Sequence, residues 1–164
     1  MPVSGVYATA RGYLGSWSSY GCIIVRGDDV NKGGSPTDQI EYEYASKFQY
    51  DRLTTFWALS GLWGNSALES LENYAKHLTS ESDKQLNAQY AAEVRFFRAY
   101  AYFQLVNLFG DVPLLLDNQE LNVFKNTKED VKKYIYDELD YCIANLPAIR
   151  PNESEHPGAV TKYT

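Results

Sequence analysis

The sequence predicts an all-α protein whose helices pack around one long central helix. The segment from Ala91 to Phe109 is apolar or aromatic at almost every position and contains neither proline nor glycine. Two other segments, Thr54–Leu78 and the residues after Thr127, carry apolar side chains at steps of three or four, as amphipathic helices do. Segments rich in Gly, Ser, Asp or Pro separate these stretches, which gives an alternation of helices and loops.

The central segment is too long for a strand, and about twenty helical residues would span roughly 30 Å. Gly110 directly follows it and predicts a left-handed C-terminal cap, and Pro113 prevents the helix from resuming. Because the segment is apolar nearly all round, it predicts a core helix covered on several sides.

A membrane span is the alternative for such a segment. Glu93, Arg95 and Arg98 argue against it, because each charge near a bilayer centre costs about 2.5–3.5 kcal/mol. The two arginines lie one turn apart on one helix face, so we expect paired structural charges rather than ligand-binding groups.

The same residues resemble the signature helix and turn of the SusD/RagB family, the surface glycan-binding lipoproteins of Bacteroidetes outer membranes. That pattern is an Ala-Glu start, an Arg-Phe-x-Arg-Ala core, aromatic residues and then Leu-[Phe/Tyr]-Gly-Asp-x-Pro. The matching positions here are Ala92, Glu93, Arg95, Phe96, Arg98, Ala99, Phe109, Gly110, Asp111 and Pro113.

The resemblance implies a tetratricopeptide-like helical-repeat fold, the SusD-like N-terminal region, with a long irregular loop. A regular repeat period is not visible in the sequence, so the repeat architecture rests on the resemblance. It also implies that residues 1–164 form one N-terminal helical domain that is truncated at both ends relative to the family.

The remaining helices are predicted by apolar spacing. Residues 3–14 place Val3, Val6, Tyr7, Ala10 and Leu14 at helical intervals. The stripe within Thr54–Leu78 consists of Phe56, Leu59, Trp63, Ala67, Leu71, Tyr74 and Leu78. Between Trp63 and Leu71 the chain departs from the family pattern and looks shortened.

Two polar segments predict helix starts. The segment 79–87 predicts a linker in which Ser80, Ser82 and Asp83 are candidate N-caps for the central helix. Thr127 with Asp130 resembles a capping box for the last helix. That helix carries an apolar stripe that ends before Pro147, formed by Val131, Ile135, Leu139, Cys142 and Leu146. We expect part of this stripe to lack a covering helix, because the resemblance stops at the start of another repeat.

The loop from Gly15 to Gln39 holds the candidate ligand-binding residues. Trp17 and Tyr20 offer stacking surfaces for sugar rings, and Asp28, Asp29 and Asn31 could accept hydrogen bonds from hydroxyl groups. The same three oxygen-bearing residues could bind calcium, although their spacing is not that of an EF-hand, or could form turns.

Composition excludes several classes. The net charge of −6 argues against a nucleic-acid partner. Cys22 and Cys142 show no zinc-ligand spacing, and whether the two cysteines meet stays open. Apart from the calcium alternative at Asp28, Asp29 and Asn31, neither a metal nor a cofactor is expected. The N-terminus lacks the features of a signal peptide, and Cys22 lacks the context of a lipidated cysteine.

Three functions are compared. The resemblance implies non-catalytic capture of a glycan or other nutrient at the outer-membrane surface, with delivery to a SusC-like TonB-dependent transporter. Association with the membrane would then use a lipid anchor absent from this sequence. A helical scaffold that binds another protein is the alternative. An enzyme is not expected, because the chain contains neither GxSxG nor HExxH and its only histidines, His77 and His156, lie in polar segments.

Overall fold

The computed structural model describes residues 2–14, 62–118, 123–149 and 158–164, and these ranges contain four α-helices. They are α1 (Pro2–Leu14), α2 (Leu62–Ala75), α3 (Glu81–Phe109) and α4 (Lys128–Asn145). Strand pairing in the described ranges is limited to one antiparallel bridge, between Val112 and Asn126. The predicted all-α fold class is confirmed.

Helix α3 is the centre of the fold, as predicted. It packs most extensively against α4 and also contacts α2 and α1. Its 29 residues make a rod of roughly 43 Å. The core residues of its second half lie on more than one face: Ala92, Val94, Phe97, Ala99, Ala101, Tyr102, Leu105 and Val106 are all buried. No helix in the described ranges is long and apolar enough to cross a membrane.

The start of α3 differs from the prediction. The helix begins at Glu81, so most of the predicted linker 79–87 is helical. Ser80 is the N-cap by position, but its side chain makes no capping hydrogen bond and its Oγ lies 2.6 Å from Oγ of Ser82. The first turns are polar and exposed. Glu81 and Asp83 favour this helix start electrostatically, whereas apolar spacing reports only the buried part of a helix.

Gly110 ends α3 with a positive φ, as predicted. Its N–H donates to the carbonyl of Val106 at 3.0 Å. Its dihedral angles, φ 72° and ψ −113°, differ from the predicted left-handed helical cap and match the first central residue of a type II′ turn. An added Cβ would meet no atom within 4 Å, so a side chain at this position is disfavoured by the backbone alone.

The turn after Gly110 caps helix α4. The Asp111 carboxylate accepts a hydrogen bond from the Lys128 N–H at 2.9 Å, and the Thr127 hydroxyl accepts one from the Asp130 N–H at 3.2 Å. The predicted cap at Thr127 is confirmed. Asp130 completes it differently from a capping box, since its carboxylate accepts the Thr127 hydroxyl at 2.6 Å.

The stripe predicted for α2 is only partly correct. Ala67 and Leu71 are buried, but Tyr74 is 62% exposed and Leu78 lies beyond the helix end. Residues 81–86 of α3 are exposed as well, so this end of the α2–α3 pair extends past the core. Residues 54–61, including Phe56 and Leu59, lie outside the described ranges.

The apolar stripe of α4 is covered, contrary to expectation. Val131, Ile135, Cys142 and Leu146 are buried, because α3 packs along this face. Leu139 is partly buried against the same core.

Tyr7 joins three distant parts of the chain. Its hydroxyl donates to the Glu93 carboxylate of α3 at 2.7 Å and accepts from the Val160 N–H at 3.0 Å. Its ring meets Phe97 edge-on at 4.8 Å between centroids. One phenol therefore connects α1, α3 and the segment 158–164.

We expect Gly110→Ala to lower the free energy of unfolding by about 1–3 kcal/mol, since a non-glycine residue is strained at this φ and ψ. Gly5→Ala is the control: Gly5 is a helix-interior glycine with open space at its Cβ, so this change should stabilise by about 0.5–1 kcal/mol. Urea denaturation followed by circular dichroism measures both, and equal effects of the two substitutions would contradict the prediction.

We expect Tyr7→Phe to cost about 1–3 kcal/mol, because it removes the hydroxyl that serves Glu93 and the Val160 N–H. Tyr136→Phe on the exposed side of α4 should change stability by less than about 0.5 kcal/mol. Thermal denaturation of the two variants gives the comparison. A Tyr7→Phe protein as stable as Tyr136→Phe would show that the hydroxyl does not tie these segments together.

Candidate functional site

The predicted ligand-binding residues Trp17, Tyr20, Asp28, Asp29 and Asn31 lie outside the described ranges, so their assignment stays a prediction. In the described part of the chain, the candidate site is a cleft of about 310 Å³. Helix α2 lines it with Asn65, Leu68, Glu69 and Glu72; α3 contributes Arg95 and Arg98; α4 contributes Tyr134; and residues 116–118 form the remaining wall.

A buried ion pair forms the floor of the cleft. Arg98 is only 7% exposed and Glu138 only 4%. Nε and Nη2 of Arg98 donate to Oε2 of Glu138 at 3.2 and 2.9 Å, and Nη1 donates to Oδ1 of Asn65 at 2.9 Å. The guanidinium is thus held in one plane by a carboxylate of α4 and an amide of α2. The expectation that the arginines are paired structural charges is confirmed for Arg98.

Arg95 shares the same carboxylate from one turn earlier. Its Nη1 donates to Oε1 of Glu138 at 3.2 Å, and its guanidinium carbon lies 4.0 Å from the ring centre of Tyr141. The Arg95 side chain is 29% exposed, and its Nε has no hydrogen-bond partner among the described residues. Arg95 is therefore oriented by two contacts, while part of its side chain remains exposed.

Asn65 connects the ion pair to the wall of the cleft. Its Nδ2 donates to the Leu115 carbonyl at 2.8 Å and lies 3.3 Å from Oδ1 of Asn118. Nδ2 of Asn118 in turn donates to the Ser66 hydroxyl at 2.9 Å. The Tyr102 hydroxyl, from the fully buried side of α3, accepts from the Leu115 N–H at 2.7 Å. The extended wall is thereby fixed to both α2 and α3.

Two other groups near this network are kept neutral by burial. Burial raises the pKa of Tyr134 well above its usual range, and its hydroxyl has no hydrogen-bond partner among the described residues. Burial, with the nearby Glu138 carboxylate, also raises the pKa of Cys142 to about 12. Cys142 is a free thiol whose Sγ lies 3.2 Å from the Ala92 carbonyl oxygen. Neither group is activated for nucleophilic chemistry.

The rim of the cleft is acidic and exposed. Glu69 and Glu72 of α2 and Asp117 of the wall all line the cleft, and all three are exposed. Within the described ranges no group of three His, Cys, Asp or Glu side chains could hold a metal ion. The arrangement therefore offers guanidinium donors below and carboxylate acceptors above, which suits binding of a polar ligand.

The signature residues occupy distinct structural positions. Glu93 and Arg98 are buried, Phe96 packs edge-on against Phe97 at 5.5 Å, and Phe109 is 48% exposed. Gly110 and Asp111 form the turn that ends α3, and Pro113 follows in the extended segment.

Sequence reasoning missed Asn65 and Glu138. A signal for Glu138 was present, since it lies three residues after Ile135 and four before Cys142, inside the apolar stripe of α4. A lone charge on a buried helix face requires a partner of opposite sign. Asn65 carried no comparable signal, because an asparagine near a helix start is also a common turn or capping residue.

We expect Arg98→Met to destabilise the protein by about 3–5 kcal/mol, because it leaves the Glu138 carboxylate buried with less compensation. Arg11→Met on the exposed side of α1 is the matched control and should change stability by less than about 0.5 kcal/mol. Urea midpoints measure both. If the two variants had the same urea midpoint, the prediction would be wrong, because packing of the methionine would fully replace the contribution of the buried ion pair.

Comparison with known proteins supports the family resemblance. Residues 34–159 match the SusD-like family described as starch-binding associating with outer membrane. A SusD-like protein of Bacteroides ovatus is 32% identical over 137 residues, which cover 72% of this chain and 24% of that protein. SusD-like protein P2 of Formosa agariphila is 28% identical over 133 residues, covering 76% of this chain and 26% of the relative. The chain thus spans about a quarter of these curated relatives.

Solved structures share the fold. A SusD homologue from Bacteroides thetaiotaomicron is 26% identical with a TM-score of 0.71, covering 90% of this chain and 29% of that one. A protein called a laminarin binding SusD-like protein reaches a TM-score of 0.78 at 24% identity, covering 98% of this chain and 36% of that one. These neighbours confirm the tetratricopeptide-like helical architecture. Because the family match extends over most of the sequence, the chain belongs to the SusD-like family.

Proposed function

We propose that this chain takes part in the non-catalytic capture of a glycan at the surface of a bacterial outer membrane. The observation that carries the proposal is the match of residues 34–159 to a family described as starch-binding associating with outer membrane. Two structural relatives, one named for laminarin binding and one solved with a xylogluco-oligosaccharide, indicate which glycans to test first.

The glycan contacts that we propose come from the loop 15–39. Trp17 and Tyr20 supply flat apolar faces for sugar rings, while Asp28, Asp29 and Asn31 accept hydrogen bonds from hydroxyl groups. The chain spans about a quarter of the length of its curated relatives, so we propose that it forms only part of the surface that captures the glycan. We therefore expect weak binding by these 164 residues.

Delivery of the glycan to a SusC-like TonB-dependent transporter is part of the same proposal. Delivery needs a protein-binding surface, and the outer side of α4 supports one. Tyr136 and Ile143 are 64% and 58% exposed, and seven residues place them two turns apart on one helix face. Membrane association would use a lipid anchor.

The absence of catalysis is supported by how the central charges are used. Glu138 is engaged by two arginines, and the Cys142 thiol and Tyr134 hydroxyl are held neutral by burial. We expect no release of reducing ends from laminarin or xyloglucan above the background of a buffer control. Release that survives purification to constant specific activity would overturn this part of the proposal.

Saturation-transfer NMR with laminari- and xylogluco-oligosaccharides tests the capture proposal, since it detects weak binding. We expect a transfer signal for the wild-type chain and a loss of at least fivefold for Trp17→Ala. Tyr136→Ala, which removes an exposed aromatic residue from α4, should leave the signal unchanged. Absence of a wild-type signal, or equal effects of both substitutions, would contradict the proposed contacts.

A further inference from the structure

We propose that the cleft between α2, α3, α4 and residues 116–118 is a second carbohydrate subsite that accepts one neutral sugar ring. This inference deepens the proposed function and rests on it. The cleft is built from described residues and is separate in sequence from the loop 15–39.

The size of the cleft selects a small ligand. Its volume of about 310 Å³ lies at the lower end of the range for ligand pockets, roughly 300–1,000 Å³. Such a volume holds a single ring rather than an oligosaccharide. Most of its lining residues are polar or charged, and the two leucines, Leu68 and Leu116, provide an apolar surface suited to the C–H face of a pyranose.

Arg95 supplies preorganised donors. Its contact with Glu138 uses one of the five N–H groups of a guanidinium, and stacking on Tyr141 fixes the plane of the group. Both restraints are present before any ligand binds, so little side-chain entropy is lost on binding. Arg98 beneath it is already committed to Glu138 and Asn65, which leaves Arg95 as the donor facing the cleft.

Glu69 and Glu72 supply acceptors on the rim. They are three residues apart and therefore lie side by side on α2, and neither forms an ion pair within the described ranges. Carboxylates accept strong hydrogen bonds from hydroxyl groups. Donors below and acceptors above match a vicinal diol, in which each hydroxyl group both donates and accepts.

The charges also disfavour an anionic ligand. An anion would be repelled by Glu69, Glu72 and Asp117, because the Glu138 carboxylate already neutralises the guanidinium of Arg98. A neutral polyhydroxyl molecule can use both the guanidinium donors and the carboxylate acceptors. The preferred order of ligands is therefore glucose ahead of glucuronate.

The test is a titration of the isotope-labelled 164-residue chain with D-glucose, observed by ¹H–¹⁵N NMR. We expect the side-chain signals of Arg95 and Asn65, two residues that line the cleft, to shift with millimolar affinity. The double variant Glu69→Ala/Glu72→Ala should weaken the affinity at least fivefold. The control Glu129→Ala/Asp140→Ala removes two exposed carboxylates outside the cleft and should leave it unchanged.

The outcomes separate this proposal from the capture proposal. Glucose shifts that follow the Glu69/Glu72 pair and persist in Trp17→Ala support the subsite. Absence of shifts, equal weakening by the control pair, or tighter binding of glucuronate would overturn it. If Trp17→Ala abolishes oligosaccharide binding, but glucose causes no shift of the cleft signals in the wild-type chain, the subsite proposal fails and the capture proposal stands.

Discussion

The fold depends on neutralising the guanidinium of Arg98 inside the helix core. A buried charge without a partner is too costly to retain, so α4 must present Glu138 at the matching height along α3. The same guanidinium reaches Asn65, which fixes the position of α2. Three helices thus meet at one planar group, and the geometry of its N–H donors restricts their relative register.

This constraint extends outward to the surface. Asn65 also holds the Leu115 carbonyl and lies next to Asn118, so the extended wall after Pro113 is attached to the ion pair through a short chain of amides. Asp111 also caps α4, which begins 17 residues further along the chain. The Gly-Asp-x-Pro turn of the signature therefore ends α3 with the positive φ of Gly110, caps the next helix through Asp111 and leads into one wall of the cleft.

The cleft combines a rigid floor with an exposed acidic rim. The floor consists of structural charges, because Arg95 and Arg98 share the carboxylate of Glu138. Arg95 makes only one hydrogen bond to that carboxylate. The same contacts can serve the fold and ligand binding, because the ion pair with Glu138 that stabilises the helix packing also holds the Arg95 guanidinium in a fixed orientation. The outer side of α4, with Tyr136 and Ile143, faces away from this network and is chemically distinct from it.

The sequence alone determined the helical class, the central helix, its end at Gly110, the Thr127 cap and the need to pair Arg98, since each follows from local spacing, backbone chemistry or the cost of a buried charge. The family resemblance was likewise readable from the signature residues of α3. Tertiary structure decided that Glu138 and Asn65 are the partners of Arg98, because such contacts join positions 40 and 33 residues away. It also decided that α3 starts at Glu81 and that α3 covers the apolar stripe of α4. A helix that extends past the core keeps polar residues there, and a pattern of apolar spacing records only where another element packs.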